Sequence, residues 1–386
     1  MNILLIHQHF NTPETGGPVR SWYLATALAR KGHQVVVITA SAGPYRKEVA
    51  IDGIRVIYLP ISYNNRFSFN ARAWAFARFA WSASRAASRF RQFDICYAIS
   101  VPLTVGLCAM YLKWRYRIPY WFEVGDLWPD APIELGYIRN PILKWATLFL
   151  ERSIYRNAIG VVALSVPIME AIKRKVPGLR LALVPNMADC DFYTPEQEPG
   201  NPGEFTISYS GALGAANGLG YLLDCAASCL RSRLPVKFVI CGDGAMLDIL
   251  KKRAEFNQLT NVSFAGFLNR DGVRDVLRRS QAVIVSYHPS PILETGCPNK
   301  YFDGLAAGKI IIVNFGGWVR EEIESGRCGF YVDPRSPEHL VQKVKEVLAS
   351  PEKQAGMQRE ARRIAEEKYT RRALSETFVR LFEEPG

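Results

Sequence analysis

The stretch 288–309 gathers the residues of this chain best suited to binding an anion. Asn299 can cap a helix whose first turn then holds Lys300 and Asp303. A lysine at the positive end of a helix does nothing for the helix, but it is well placed for a diphosphate. Asp303 comes one turn later on the same face, where its carboxylate can hold sugar hydroxyls. Three glycine-rich loops add to this. Gly16-Gly17 follows the run Asn2–Ile6, Gly211-Ala212-Leu213-Gly214 follows 205–209, and Gly242-Asp243-Gly244 follows Val236–Cys241. Such loops bring backbone N–H groups to a phosphate at a helix N-terminus. None is a dinucleotide fingerprint or a P-loop, and each alone is equally well a tight turn. Their recurrence in corresponding places points to a nucleotide.

Metal chemistry has little support. His7 and His9 are one residue apart at a strand end and point the same way, but the further ligands a metal needs are missing. The eight cysteines are scattered without a CxxC pair. Cys225 and Cys229 are one helical turn apart in an apolar stretch, so reduced, buried thiols of a cytosolic protein are expected.

The elements that must position these residues alternate along the whole chain. Asn2–Ile6 reads as a strand and 18–31 as a helix, with Pro18 in its first turn and Gly32 at its end. Further strands are expected at 34–39, 54–59, 94–99, 119–123, 161–164 and 181–184. Near-continuous apolar strands separated by helices mean a parallel sheet covered on both faces. The polar, Pro- and Gly-rich segment 196–203 then reads as a linker. After it the pattern restarts with strands at 205–209, Val236–Cys241, 262–264, 282–286 and Ile310–Val313. The chain is strongly helical from Gln354 on. Its 386 residues, 48% apolar and 22% charged, suit two doubly wound α/β domains in tandem and exclude disorder or a coiled coil. Ligands of such sheets bind at the C-terminal ends of the strands, where all three glycine loops fall.

Asp303-Gly304-Leu305-Ala306-Ala307-Gly308-Lys309 resembles the second half of the donor-site motif of retaining family-4 glycosyltransferases, enzymes of the GT-B fold. Gly16-Gly17 resembles that family's N-terminal glycine loop, and 184–189 its Pro-Asn-Gly-x-Asp segment before the interdomain link. The segment 123–130 resembles a Glu-x-x-Asp-Leu-Trp-Pro stretch of a branch acting on bacterial surface polysaccharides. The resemblance implies two Rossmann-like domains facing across a cleft. Residues 1–195 would hold the acceptor, 196–365 the nucleotide sugar, and a helix in 366–386 would return to the first domain. It also implies a nucleotide diphosphosugar donor, UDP-linked, transfer with retention to a polyprenyl-diphosphate-linked saccharide, and neither metal nor cofactor. Asp126 would then be the catalytic or acceptor-orienting carboxylate, with Glu123 and Asp130 as alternatives; each also suits a cap or an ion pair. Lys300, Gly16, Gly17, Gly211 and Gly214 would stabilise the departing diphosphate, and Asn299 and Asp303 would line the donor site. Asp189-Cys190-Asp191 falls in the junction segment, where turn capping suffices. Three departures from the family pattern stand out. The first acidic position falls on Thr295 with Glu294 beside it, so either fills it or the contact is absent. Asp303 replaces the usual Glu. The Arg and Lys that often follow the first strand of the second domain are missing.

Charge is lopsided. The net +12 divides into 23 Lys and Arg against 12 Asp and Glu up to Pro195, and 25 against 24 thereafter. Between Arg66 and Arg91 there are six arginines and no acidic residue. On a helical wheel of about 100° per residue, Phe69, Phe76, Phe79 and Phe90 cluster on one side. Trp74, Arg78, Trp81, Arg85 and Arg89 fall on the other. Arginines interleaved with tryptophans suit a helix lying at an anionic lipid surface; a solvated basic face is the plain alternative. Tyr111, Trp114, Arg115, Tyr116 and Arg117 repeat this chemistry. No signal peptide is expected, and the longest apolar stretch, 101–112, is short of the ~20 residues that span a bilayer. These features imply a cytoplasmic protein peripheral to the inner face of the membrane. A sugar-nucleotide epimerase on the same fold and a basic nucleic-acid-binding protein are the rivals. Nothing in the chain resembles a nucleic-acid module, and no nucleic-acid partner is expected.

Overall fold

The computed structural model describes residues 1–64, 66–90, 92–196 and 203–383. Arg91 and most of the expected linker lie outside them. The first domain is built on β1 (Asn2–Ile6), β2 (Gln34–Ser41), β3 (Lys47–Ile51), β4 (Ile54–Pro60), β5 (Ile95–Ile99), β6 (Tyr120–Val124), β7 (Gly160–Ala163) and β8 (Leu181–Leu183). They form one sheet in the order β3-β4-β2-β1-β5-β6-β7-β8, parallel throughout except for the β3–β4 pair. The second domain repeats the plan with β9 (Phe205–Ser210), β10 (Val236–Cys241), β11 (Val262–Gly266), β12 (Ala282–Val285), β13 (Ile310–Val313) and β14 (Gly329–Tyr331), in the order β11-β10-β9-β12-β13-β14. In each sheet the strand order reverses beside the first strand, at β1/β5 and β9/β12. A crevice opens above such a reversal because the adjoining connections leave to opposite faces.

Two strands escaped the sequence reading. Lys47–Ile51 is an edge strand with mostly exposed side chains, so it lacks an apolar run. Gly329–Tyr331 is only three residues long. Both are recruited by a neighbour rather than by their own composition.

Apolar residues cover both faces of both sheets. On the first, the helices Phe69–Ala87, Val105–Tyr116, Pro141–Asn157 and Val166–Lys175 pack one face. The helix Arg20–Arg30 covers the other, together with Phe378, Val379 and Phe382 from the helix Arg371–Glu383. Phe378 meets the Tyr97 ring of β5 edge-on at 4.8 Å. The preceding helix, Pro351–Lys368, still packs on the second domain through Ala361, Ile364 and Ala365. The chain therefore crosses between the domains twice.

Candidate active site

Loops at the C-terminal ends of both sheets face each other across a cleft of about 980 Å³. Its floor on the second-domain side is backbone. Gly211 has φ +144°, and a Cβ there would lie 3.1 Å from Lys300 Cε. Gly242 has φ +142°, and a Cβ there would lie 1.8 Å from the Gly211 carbonyl oxygen. Any side chain at position 242 would push the two loops apart, so only glycine lets them abut. Gly211, Gly242, Asp243 and Gly244 all line the cleft.

The helix Asn299–Ala306 brings Lys300 and Asp303 to the same surface. Its cap is Pro298, and Asn299 is already helical, with no capping bond. This corrects the expected role of Asn299, whose side chain is left exposed at the cleft. The Lys300 ammonium sits over the Tyr209 ring, 4.7 Å from its centre, with Tyr287 at 5.8 Å. Such faces partly replace lost water around a cation. Burial still lowers the Lys300 pKa to about 8, against the opposing pull of Asp303. Burial raises Asp303 to about 7; Arg270 and Lys300 draw it down and Asp189 pushes it up. The pair is thus poised near neutrality, an arrangement suited to a site that binds charge.

From the first domain, Asp126 lines the cleft just beyond β6. Water reaches its carboxylate, yet surrounding protein displaces enough solvent to raise its pKa. A Cβ on Gly296 would be 3.8 Å from Asp126 Oδ1, which places this carboxylate against the 288–309 stretch. The alternatives are both engaged elsewhere. Glu123 is 2% exposed and takes two bonds from Arg20, at 3.1 and 2.9 Å, and one from the Tyr97 hydroxyl. Asp130 pairs with Lys175, which also holds the buried Glu151 at 2.7 Å. Gly17 lines the cleft, and Gly16 packs against Asn269 of the second domain. The helix that follows, Arg20–Arg30, has Val19 at its cap and no side-chain capping bond.

Three expected donor residues lie elsewhere. Gly214 borders a neighbouring hollow of about 340 Å³. Glu294 Oε1 accepts the Gly316 N–H at 3.1 Å, and Thr295 Oγ1 donates to the Ile292 carbonyl at 2.7 Å. Glu294 ends the short helix Pro291–Glu294 and Thr295 follows it, and neither side chain lines the cleft. Asp189 accepts bonds from Tyr23 at 2.5 Å and Arg270 at 2.8 Å, and pairs with Arg371 at 3.3 Å. It ties the domain junction together.

Other cleft residues were not foreseen. Arg270 carries no local signal in the sequence, and Gln8 lies between the two strand-end histidines without a motif of its own. Tyr287 does carry a signal, since it stands at the end of β12 just before the motif stretch.

Burial lowers the pKa of His7 to about 3 and of His9 to about 4, so both are neutral. Trp74, Arg78, Trp81 and Arg85 are exposed on the helix Phe69–Ala87, while Phe76 and Phe79 are buried beneath it. The side chain of Phe69 lies outside the described residues.

Residues 15–187 match the glycosyl transferase 4-like domain, and 194–364 match the glycosyl transferases group 1 family. The α-D-kanosaminyltransferase of Streptomyces kanamyceticus is 25% identical over 64% of this chain, which spans 65% of that protein. The probable glycosyltransferase WbjE of Pseudomonas aeruginosa is 23% identical over 75% of this chain and 74% of its own. Among solved structures, sucrose-phosphate synthase from Thermosynechococcus elongatus superposes with a TM-score of 0.81 at 16% identity, covering 99% of this chain and 98% of its own. HepE of Anabaena, solved with UDP and glucose, gives 0.72 at 17% identity, with both chains wholly covered. WaaG, a glycosyltransferase involved in lipopolysaccharide biosynthesis, gives 0.69 at 13%, covering 99% and 100%. Glycosyltransferase families thus account for both sheets and the cleft between them, and this chain belongs to the retaining family-4 glycosyltransferases of the GT-B fold, enzymes that draw on a nucleotide-sugar donor.

Proposed function

We propose that this enzyme moves a sugar from a UDP-sugar to a saccharide carried on a polyprenyl diphosphate, at the cytoplasmic face of an anionic membrane, in cell-surface polysaccharide synthesis. The UDP assignment draws on HepE, and the surface-polysaccharide role on WaaG. On this reading the donor diphosphate rests on the Gly211 loop and Lys300, with Asp303 at the sugar or ribose hydroxyls. Fixed N–H groups and one ammonium then stabilise the leaving diphosphate in place of a metal. The acceptor hydroxyl approaches on the same face as the leaving group, beside Asp126.

The observation that carries the membrane part is the outer face of the first domain. Trp74, Trp81, Trp114 and Trp145 are 67%, 65%, 81% and 67% exposed on three helices that pack side by side. Arg78, Arg85 and Arg115 stand exposed among them, and Arg85 lies 5.7 Å from the centre of the Trp81 ring. Aromatic rings that enter the headgroup layer beside arginines suit attachment to anionic lipid. No helix among the described residues is long and apolar enough to cross a membrane.

Wild-type protein is expected to co-float with phosphatidylglycerol vesicles. A variant with Trp74, Arg78, Trp81 and Arg85 all replaced by Ser is expected to stay behind. Undiminished flotation of that variant refutes the membrane assignment. For the donor, UDP-sugars are expected to raise the melting temperature more than GDP- or ADP-sugars, and equal or absent shifts refute UDP.

A further inference from the structure

At the first-domain end of the cleft the aromatic rings form a continuous wall. His9 stands 4.5 Å from Tyr63, and Tyr63 stacks on Phe76 at 5.5 Å and 19°. Phe76 meets Trp128 edge-on at 6.3 Å. His9, Tyr63 and Trp128 line the cleft, and the buried Phe76 braces the last two from behind. They come from loops after β1, β4 and β6 and from the helix Phe69–Ala87. Four separate segments thus deliver rings to one place.

Two polar groups interrupt this wall. Asp126 precedes Trp128 by two residues and lines the same cleft. Gln8 is 1% exposed, lines the cleft beside His9, and neither end of its amide has a hydrogen-bond partner among the described residues. A buried amide left with both ends unpaired is costly unless something fills the site.

We infer that Gln8, His9, Tyr63, Asp126 and Trp128 form a stacking subsite for the terminal sugar ring of the acceptor. This rests on the transferase reading and extends it to the group that receives the sugar. A pyranose has flat C–H faces and a rim of hydroxyls, and it needs aromatic surface with a few fixed polar groups, as found here. An isoprenoid chain calls for apolar lining without a carboxylate or an unpaired amide. A diphosphate calls for cations, and this wall has none, because burial holds His9 neutral. The ammonium of Lys300 belongs to the opposite wall, with Asp126 at the meeting of the two.

The test is saturation-transfer NMR in the presence of UDP, with octyl β-glucoside, octyl β-galactoside and octyl N-acetyl-β-glucosaminide as probes and 1-octanol as control. Ring protons of at least one glycoside are expected to saturate more strongly than its octyl protons. Trp128→Ala is expected to cut ring saturation about fivefold, as loss of one aromatic stacking contact does, and Trp128→Phe to keep most of it. UDP affinity, measured by calorimetry, is expected to stay unchanged in both variants. Displacement of the glycosides by octanol alone overturns the inference in favour of the lipid chain. A matching loss of UDP affinity in Trp128→Ala assigns the wall to the donor base and overturns it too. Wild type that binds UDP but shows no ring saturation with any glycoside also overturns it. If wild type fails to bind UDP, the donor reading falls, and ring saturation alone still decides the subsite.

Discussion

On the proposed donor reading, the Lys300 ammonium meets the diphosphate, and its state depends on pH. Burial lowers its pKa to about 8, so the free enzyme loses this charge just above neutrality. A diphosphate binds the protonated form, so binding takes up a proton and affinity falls as pH rises through the free-enzyme value. UDP affinity is therefore expected to decline by about tenfold per pH unit above that point. Lys300→Arg is expected to flatten the profile, and Lys300→Ala to weaken UDP by about 10- to 100-fold, the range for one charge-assisted bond. Calorimetry from pH 6 to 10 measures all three, and a flat wild-type profile removes Lys300 from the donor site. The sequence shows why such a lysine is odd at a helix start. It cannot show which carboxylate of Glu123-Val124-Gly125-Asp126 faces the cleft. Arg20, distant in sequence, decides that by claiming Glu123.

Among the elements, two helices of the first domain differ in how plainly they read. Phe69–Ala87 separates phenylalanines from tryptophans and arginines, so its two faces are visible in the chain. Pro141–Asn157 does the reverse of what composition suggests: it buries Glu151 and exposes Ile142, Trp145 and Phe149 at 74%, 67% and 59%. The three are spaced like a core face, and Trp145 stacks on Phe149 at 5.6 Å. The inversion holds because Lys175 and the Tyr155 hydroxyl satisfy Glu151 inside. Replacing Ile142, Trp145 and Phe149 with Ser is expected to leave the melting temperature nearly unchanged, as exposed positions do. The same change is expected to lower partition into anionic vesicles by about tenfold or more, at ~1.5–3 kcal/mol for each apolar side chain that enters lipid. A large drop in melting temperature refutes the exposed placement. The alternation of strands and helices, the glycine loops and the helix that starts at Asn299 were legible because period and turn residues are local. The inverted helix and the aromatic wall were not, since both depend on partners far along the chain.

For the whole molecule, the decisive place is where the two chain crossings meet. Tyr23 of the first domain, Asp189 of the outgoing segment, Arg270 of the second domain and Arg371 of the returning segment share one buried carboxylate. Asp189→Ala leaves the buried Arg270 without its paired anion and Arg371 with only the exposed Asp191, and the expected cost is about 3 kcal/mol in chemical denaturation. A loss below about 0.5 kcal/mol, the scale of an exposed pair, contradicts a junction held by this charge. Across the cleft mouth, the exposed Arg66–Asp243 pair at 2.5 Å makes a second, salt-sensitive link between the domains. The returning helix also bears on how the protein is made. A ribosome delivers β1 and β5 early, but the rings that close the face around Tyr97 arrive only with Phe378 and Phe382. Until then the nascent first domain presents an open oily floor. That face is therefore completed only after the whole second domain has been synthesised.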